Sequence, residues 1–153
     1  MLGDHISALP FDLIGTESAA GLALTQAAGD LAVFPIPFKC ILLYSALAIT
    51  TTCGGDTTKP QVKMDIRPTA GSDTGRGDGD AGSFDLGTMA GGKFVYWMPG
   101  TRVELEPGQE VVMQLSQIAA GTGAAGAARP VLVVEHAAEA WANLDSAVAA
   151  TEV

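Results

Sequence analysis

The longest hydrophobic stretch of the chain runs from Phe38 to Thr52 and is rich in aromatic, isoleucine, leucine and threonine residues. Pro35 and Pro37 directly precede it and exclude a helix interior, so the composition predicts a strand. Both faces of this strand are apolar, and both are therefore expected to be covered. Alternate positions place Phe38, Cys40, Leu42, Tyr44, Ala46 and Ala48 on one face and Ile41, Leu43, Leu47 and Ile49 on the other.

The second of these faces is the predicted subunit interface, with Leu43, Leu47 and Ile49 as its contact residues. In a two-sheet sandwich one face of a strand packs on the opposite sheet. The other face then needs an arm, a helix or a neighbouring subunit to cover it.

An aromatic group at Phe94, Tyr96, Trp97 and Met98 is the other candidate for contact, because aromatic side chains anchor both sugar-binding faces and protein interfaces. Phe94 and Tyr96 share one face of a strand, and Trp97 lies on the opposite face. We expect one face to pack in the core and the other to contact a subunit, and Trp97 is assigned to the interface.

Shorter strands are predicted where apolar and polar residues alternate between glycine-rich turns. Gln61 to Arg67 alternates, with Val62, Met64 and Ile66 on its buried side. Two hairpins are expected: Phe84 to Met89 with Phe94 to Met98, and Val103 to Leu105 with Val111 to Ile118 across a type II turn at Pro107-Gly108.

Three segments carry few apolar residues or a different pattern. Thr69 to Ser83, rich in glycine and aspartate, is predicted to be an exposed loop, and Ala119 to Ala128 a second loop before a last strand at Pro130 to Glu135. Ala137 to Ala150 has helical composition with a thin apolar stripe, which fits a short helix and a docking tail equally well.

These elements predict an all-β fold, an antiparallel β-sandwich of jelly-roll-like layout with about eight strands. We divide the chain into an N-terminal arm with short strands (1–30), a β-sandwich domain (31–136) and a C-terminal tail or short helix (137–153).

Charge and hydropathy exclude several partners. The net charge is −9, and the eight basic residues are scattered, so nothing is arranged to neutralise consecutive phosphates and no nucleic-acid partner is expected. The run from Leu31 to Cys53 is interrupted by prolines and a lysine, which predicts no membrane span, and Met1 to Phe11 lacks a basic region typical of secretion signals. With 48% hydrophobic and 16% charged residues, the surface is expected to be partly covered by a partner.

No motif for catalysis, cofactor or zinc binding is recognised. His5, His136, Cys40 and Cys53 form no close pair of ligands, and the cysteines are expected to be reduced and buried. His136 has no candidate nucleophile nearby in sequence. The chain is therefore predicted not to be an enzyme and to need no cofactor.

A weak calcium candidate lies in the aspartate-rich loop, at Asp73, Asp78 and Asp80, because hard cations prefer several oxygen ligands. Placed on the helix-loop-helix calcium pattern from Asp78, the twelfth position is Met89 rather than a glutamate. A solvated acidic turn is the simpler interpretation. The tripeptide Arg76-Gly77-Asp78 in the same loop matches an adhesion motif, but three residues of this kind arise easily by chance.

The segment Val103-Glu-Leu-Glu-Pro-Gly-Gln-Glu-Val-Val-Met-Gln-Leu, a Gly/Ala spacer and then Pro130-Val-Leu-Val-Val-Glu resembles the closing strands of phage virion β-sandwich proteins. In particular it resembles the capsid decoration, or cement, proteins of tailed phages. The resemblance covers Leu31 to His136.

The resemblance implies a virion protein made in the host cytoplasm, often a homotrimer, that binds the major capsid protein on the outer surface of an icosahedral head. An alternative from another class is a carbohydrate- or calcium-binding module on a virion spike or surface assembly. An enzyme without recognisable motifs is a third alternative.

Overall fold

The computed structural model describes residues 6–9, 12–13, 21–69 and 78–136, and in these residues all regular secondary structure is β-strand. The strands are β1 Ile6–Leu9, β2 Asp12–Leu13, β3 Leu22–Ala23, β4 Gly29–Pro35, β5 Cys40–Gly54, β6 Gln61–Pro68, β7 Gly82–Asp85, β8 Phe94–Trp97, β9 Val103–Leu105, β10 Gln109–Gln117 and β11 Ala125–His136.

The strands form two antiparallel sheets. One has six strands in the order β1-β11-β5-β8, with β3 also paired to β11 and β9 also paired to β5. The other has five strands in the order β2-β4-β10-β6-β7. Strands β4, β5 and β6 alternate between the sheets, and β10 lies between β4 and β6. The predicted all-β antiparallel sandwich is confirmed.

One hydrophobic core lies between the sheets, and each sheet contributes one face to it. Full burial of such side chains stabilises the fold by roughly 1.5–3 kcal/mol each. The largest buried side chains are Leu42, Leu47, Ile49, Leu105 and Leu132 from the six-stranded sheet and Phe34, Val62, Met64, Met113 and Leu115 from the five-stranded sheet.

A β-bulge in β5 corrects the predicted assignment of its faces. Leu42 pairs with Val134 and Tyr44 pairs with Val133, so Leu43 is an extra residue between them. One extra residue reverses the alternation of side chains along the rest of the strand. Leu42 and Leu47 therefore face the core together, although strict alternation places them on opposite faces.

Both predicted hairpins are wrong, because in each case the chain crosses from one sheet to the other. Strand β7 pairs with β6 in the five-stranded sheet, whereas β8 pairs with β5 in the six-stranded sheet. Strand β9 likewise pairs with β5, whereas β10 pairs with β4 and β6. Two alternating segments that follow one another in the sequence therefore need not pair, because they can belong to different sheets.

The turn at Pro107-Gly108 is nevertheless of the predicted kind. The N–H of Gln109 donates to the carbonyl of Glu106 at 3.1 Å, and Gly108 has φ of +90°. Proline at the second position and a positive φ at the third define a type II turn.

The predicted loop at Ala119 to Ala128 ends earlier than expected, because β11 begins at Ala125. The small residues here accommodate close packing: a Cβ on Gly126 would lie 3.3 Å from both the Leu24 Cδ1 and the Cys53 Sγ. Glycine and alanine have a low propensity for strands. Here the close packing that their small size allows outweighs that propensity.

The structure describes the three predicted regions, 1–30, 31–136 and 137–153, to different extents. Strands β1 and β3 pair with β11, and β2 pairs with β4, so short strands of the first 30 residues add to both sheets. Most of the glycine- and aspartate-rich loop (70–77) and the predicted tail or helix (137–153) lie outside the described residues.

Candidate docking face

Three large hydrophobic side chains are exposed in the described part of the chain, and all three lie in or directly after β8. Phe94 is 56% exposed, Tyr96 61% and Met98 73%. Exposed large apolar side chains scattered singly are ordinary, but a contiguous group marks an interaction surface.

The register of β8 on β5 explains why these side chains are exposed. Phe94 lies opposite Ala48 and Tyr96 opposite Ala46, so small residues on β5 leave the rings uncovered. Tyr44, two positions before Ala46, makes an edge contact with Tyr96, with ring centroids 5.7 Å apart.

Phe94 and Tyr96 are stacked with centroids 6.1 Å apart and an interplanar angle of 20°. Together with Tyr44 they form the outer aromatic face, on the side of the six-stranded sheet that points away from the core. Ring pairs at such distances contribute about 0.5–1.5 kcal/mol in addition to the stabilisation that comes from the apolar area they bury.

The structure places two of the predicted interface residues, Leu47 and Ile49, on the core side of this sheet. Leu47 is 0% and Ile49 2% exposed, and both belong to the core cluster of their own chain. Their assignment to an uncovered face is therefore wrong, and the cause is the bulge at Leu43, itself half-buried.

Trp97 is half-buried and packs against the core. It lies opposite Ser45, whose hydroxyl donates to the carbonyl of Ala81 at 2.7 Å inside the sandwich. The predicted division of β8 into a core side and a contact side fits this geometry, with the sides exchanged: Trp97 faces inward, and Phe94 and Tyr96 face outward.

Several bases lie next to β8 in sequence or on a strand of the same sheet, in contrast to the net charge of −9. Lys93 directly precedes β8 and is exposed, and Arg129 on β11 lies opposite Ala48, in the same row as Phe94. Arg102, after β8, forms an exposed ion pair with Glu104 at 3.0 Å.

Two of the predicted calcium ligands, Asp78 and Asp80, lie in the described residues, and Asp73 lies outside them. Asp80 is engaged with the backbone: its Oδ1 accepts the N–H of Ile66 at 2.8 Å. Asp65 alternates with the apolar residues of β6 and is expected to face solvent, but it is 1% exposed, and its Oδ1 accepts the N–H of Gly79 at 2.6 Å.

This reciprocal pair of hydrogen bonds, the aspartate clamp, fastens residues 78–81 to β6. Partial burial raises the pKa of the Asp80 carboxyl, and the charges of Asp65 and Asp78 raise it further, against the hydrogen bond from Ile66. Among the described residues, no group of three or more His, Cys, Asp or Glu side chains is placed to hold a metal ion.

A second polar cluster, which sequence analysis missed, joins three strands of the five-stranded sheet. Arg67 on β6 donates from Nε to Glu110 on β10 at 2.7 Å and from an Nη to Asp30 on β4 at 3.0 Å. Gln114 donates to the other oxygen of Asp30 at 3.0 Å. Only the pairing of β10 between β4 and β6 brings these distant residues together.

Neither cysteine is placed for chemistry. Cys40 and Cys53 are free and buried, and burial raises the pKa of Cys40 to about 11 and that of Cys53 in the same direction. Since the thiolate is the reactive form, both thiols are poor nucleophiles at neutral pH.

The fold defines the chain as a two-sheet antiparallel β-sandwich with an aromatic surface on one outer face. Comparisons with protein families, with curated proteins and with solved structures give no match for it. The described residues contain no helix that could cross a membrane.

Proposed function

We propose that this chain is a non-enzymatic structural subunit that works by protein contact, as a decoration or cement protein on the outside of a phage capsid. In this proposal it forms a symmetric homotrimer and braces neighbouring copies of the major capsid protein. The outer aromatic face carries the proposal, because it combines Phe94, Tyr96 and Tyr44 on one side of a sheet whose other side is the core.

Several features support a contact role. The exposed rings have the side-chain type that dominates the binding energy of protein interfaces. They stand on a sheet rather than on a long loop, so little conformational entropy is lost when they are covered. The segment from Val103 to Glu135 resembles the closing strands of phage decoration proteins, and this resemblance is the reason for proposing a phage capsid as the assembly.

Co-sedimentation with empty shells of the cognate major capsid protein tests the proposal. We expect saturable binding of the wild-type chain and at least tenfold weaker binding of the double variant Phe94→Ser/Tyr96→Ser, since loss of one interface anchor of about 1.4 kcal/mol is a factor of ten. Val33→Ser is the matched control, because Val33 is half-buried on the outer side of the other sheet, opposite Val112. Absent binding by the wild type, or equal binding by the double variant, would contradict the proposal.

The same rings favour a second candidate, a carbohydrate-binding module. The exposed rings of Phe94 and Tyr96 and the half-buried ring of Tyr44 form an aromatic surface on a β-sheet, and apolar ring faces are what sugars stack against. Isothermal titration with soluble oligosaccharides distinguishes the two candidates. Heat of binding that disappears in Tyr96→Ser supports the sugar module, and no heat with any sugar, together with shell binding, supports the structural subunit.

A further inference from the structure

Asp78-Gly79 is the only aspartate–glycine pair in the sequence. In such a pair the backbone nitrogen of the glycine can attack the side-chain carboxyl of the aspartate, because glycine has no side chain to hinder the approach. The ring that forms, a succinimide, opens either to aspartate or to isoaspartate, in which the backbone runs through the side-chain carbons. The pair is therefore a candidate site of spontaneous covalent change.

This reaction needs no reagent except water. A bond forms between the Gly79 nitrogen and Cγ of Asp78, and the protonated carboxyl loses its hydroxyl group with the amide proton as water. Water then adds to one of the two ring carbonyls and breaks its bond to the nitrogen, so the product has the mass of the starting chain. Asp78 is exposed, so water reaches its carboxyl group.

Residue 79 has to be glycine for a structural reason. Gly79 has φ of +69°, in the left-handed region that residues with a side chain rarely adopt. A Cβ at this position would lie 3.2 Å from the carbonyl oxygen of Gly82 and 3.3 Å from Cβ of Ser83. The turn that leads into β7 thus requires the residue type that makes the preceding aspartate reactive.

The aspartate clamp holds the nitrogen that would react. Gly79 is buried, and its N–H donates to Oδ1 of Asp65 at 2.6 Å, in a side chain that is itself buried. The chain is fixed again two residues later, where the N–H of Ala81 donates to the carbonyl of Met64 at 2.9 Å. The peptide plane between Asp78 and Gly79 therefore cannot rotate freely unless the clamp opens.

The clamp opposes ring closure in two ways. The nitrogen of Gly79 must lose its proton to act as a nucleophile, and the negative charge of the Asp65 carboxylate beside it disfavours an amide anion. The nitrogen must also turn toward Cγ of Asp78. This turn breaks a hydrogen bond to a charged acceptor, which is stronger than a bond between neutral groups.

We propose that Asp78-Gly79 is an isoaspartate-forming site and that Asp65 suppresses the reaction in the folded chain by holding the Gly79 N–H. Isoaspartate lengthens the backbone by one atom between the Cα of residue 78 and the nitrogen of Gly79. The Gly79 N–H then no longer meets Asp65, and residues 78–81 are released from β6. A brief local opening of the clamp is thereby converted into a permanent one.

Incubation of the full chain at neutral pH, folded or unfolded in guanidinium chloride, tests this site. Trypsin then releases the peptide of residues 77–93, and electron-transfer fragmentation distinguishes isoaspartate from aspartate at Asp78 and at the internal control Asp85, which precedes leucine. We expect isoaspartate at Asp78 to form at least about tenfold more slowly in the folded chain, the factor that a hydrogen bond to a charged group supplies. Equal rates in the two states, or no isoaspartate at Asp78 in the unfolded chain, would overturn the proposal.

Variants of Asp65 separate its role from that of folding in general. Asp65→Ala removes the acceptor, and Asp65→Asn keeps an oxygen for the Gly79 N–H but removes the charge, so both should form isoaspartate at Asp78 faster than the wild type, Asp65→Ala more so. Arg67→Met on the same strand is the matched control, because it disturbs β6 and leaves the acceptor in place, and it should keep the wild-type rate. Asp65→Asn carries the test where Asp65→Ala does not fold. A wild-type rate in a cooperatively folded Asp65 variant, or equal acceleration in Arg67→Met, would overturn the proposal.

Discussion

At the scale of single residues, buried polar groups hold the five-stranded sheet together from its outer side. The Arg67 side chain is 18% exposed and that of Glu110 11%, and Asp30 completes the bridge from β4 to β6. A buried charge that loses its partner costs more than the pair contributes, because the remaining charge stays desolvated. This cluster therefore makes the sheet sensitive to single substitutions.

Arg67→Met is expected to lower the free energy of unfolding by about 2–3 kcal/mol, because Glu110 stays buried without its strongest donor. Arg102→Met is the matched control, since its pair with Glu104 is exposed at both ends and contributes less than about 1 kcal/mol. Urea denaturation followed by fluorescence measures both. Similar losses in the two variants would contradict the assigned role of the cluster.

Asp80→Asn is expected to stabilise the chain at neutral pH. The pKa of Asp80 is raised above its ordinary value of 3.8 in the folded state, so the folded chain binds this proton more tightly than the unfolded chain. The contribution of Asp80 to stability is therefore greatest at acidic pH and declines as pH rises through the folded-state pKa. Asparagine keeps an oxygen for the N–H of Ile66 and carries no charge.

Thermal melting of the wild type and of Asp80→Asn between about pH 4 and pH 7 tests the direction of this pH dependence. Carboxyl groups with raised pKa values titrate in this range. The gain in melting temperature should be largest at pH 7 and shrink toward pH 4. Asp85→Asn, an exposed aspartate on β7, controls for the loss of one negative charge. An equal gain in melting temperature for Asp80→Asn and Asp85→Asn at every pH would contradict the role assigned to the aspartate clamp.

At the scale of elements, alternation predicted the strands but not how they pair. The apolar positions of Gln61 to Arg67 and the turn at Pro107-Gly108 were predictable because periodicity and turn geometry are local properties. The bulge at Leu43 was not, since an extra residue becomes visible only when β11 is placed opposite β5. The aromatic group of β8 was recognised as a contact candidate from its composition. Which of its sides faces the core depends on how β8 pairs with β5, and the prediction exchanged the inner and outer sides.

Two leucine substitutions in β5 test the bulge. Leu47→Ala should lower the free energy of unfolding by about 2–5 kcal/mol, the usual cost of removing a fully buried leucine side chain. Leu43→Ala should cost clearly less, because Leu43 is half-buried at the bulge. Strict alternation puts both residues on one face and predicts equal losses, so equal losses in chemical denaturation would show that the face assignment is incorrect.

At the scale of the whole molecule, the two outer faces of the sandwich differ in character. On the five-stranded sheet, Glu110, Val112 and Gln114 of the central strand are nearly fully buried although they point away from the core. On the six-stranded sheet, Phe94 and Tyr96 remain exposed at the edge. This asymmetry is the reason for proposing that contact with other molecules is made by the outer side of the six-stranded sheet.

Size-exclusion chromatography with light scattering on the wild-type chain tests the central claim, association through this surface, most directly. The claim predicts a molar mass that is a multiple of 15.6 kDa at high concentration and that falls in Phe94→Ser/Tyr96→Ser. A mass of 15.6 kDa at every concentration, or an association that the double variant leaves unchanged, would contradict it.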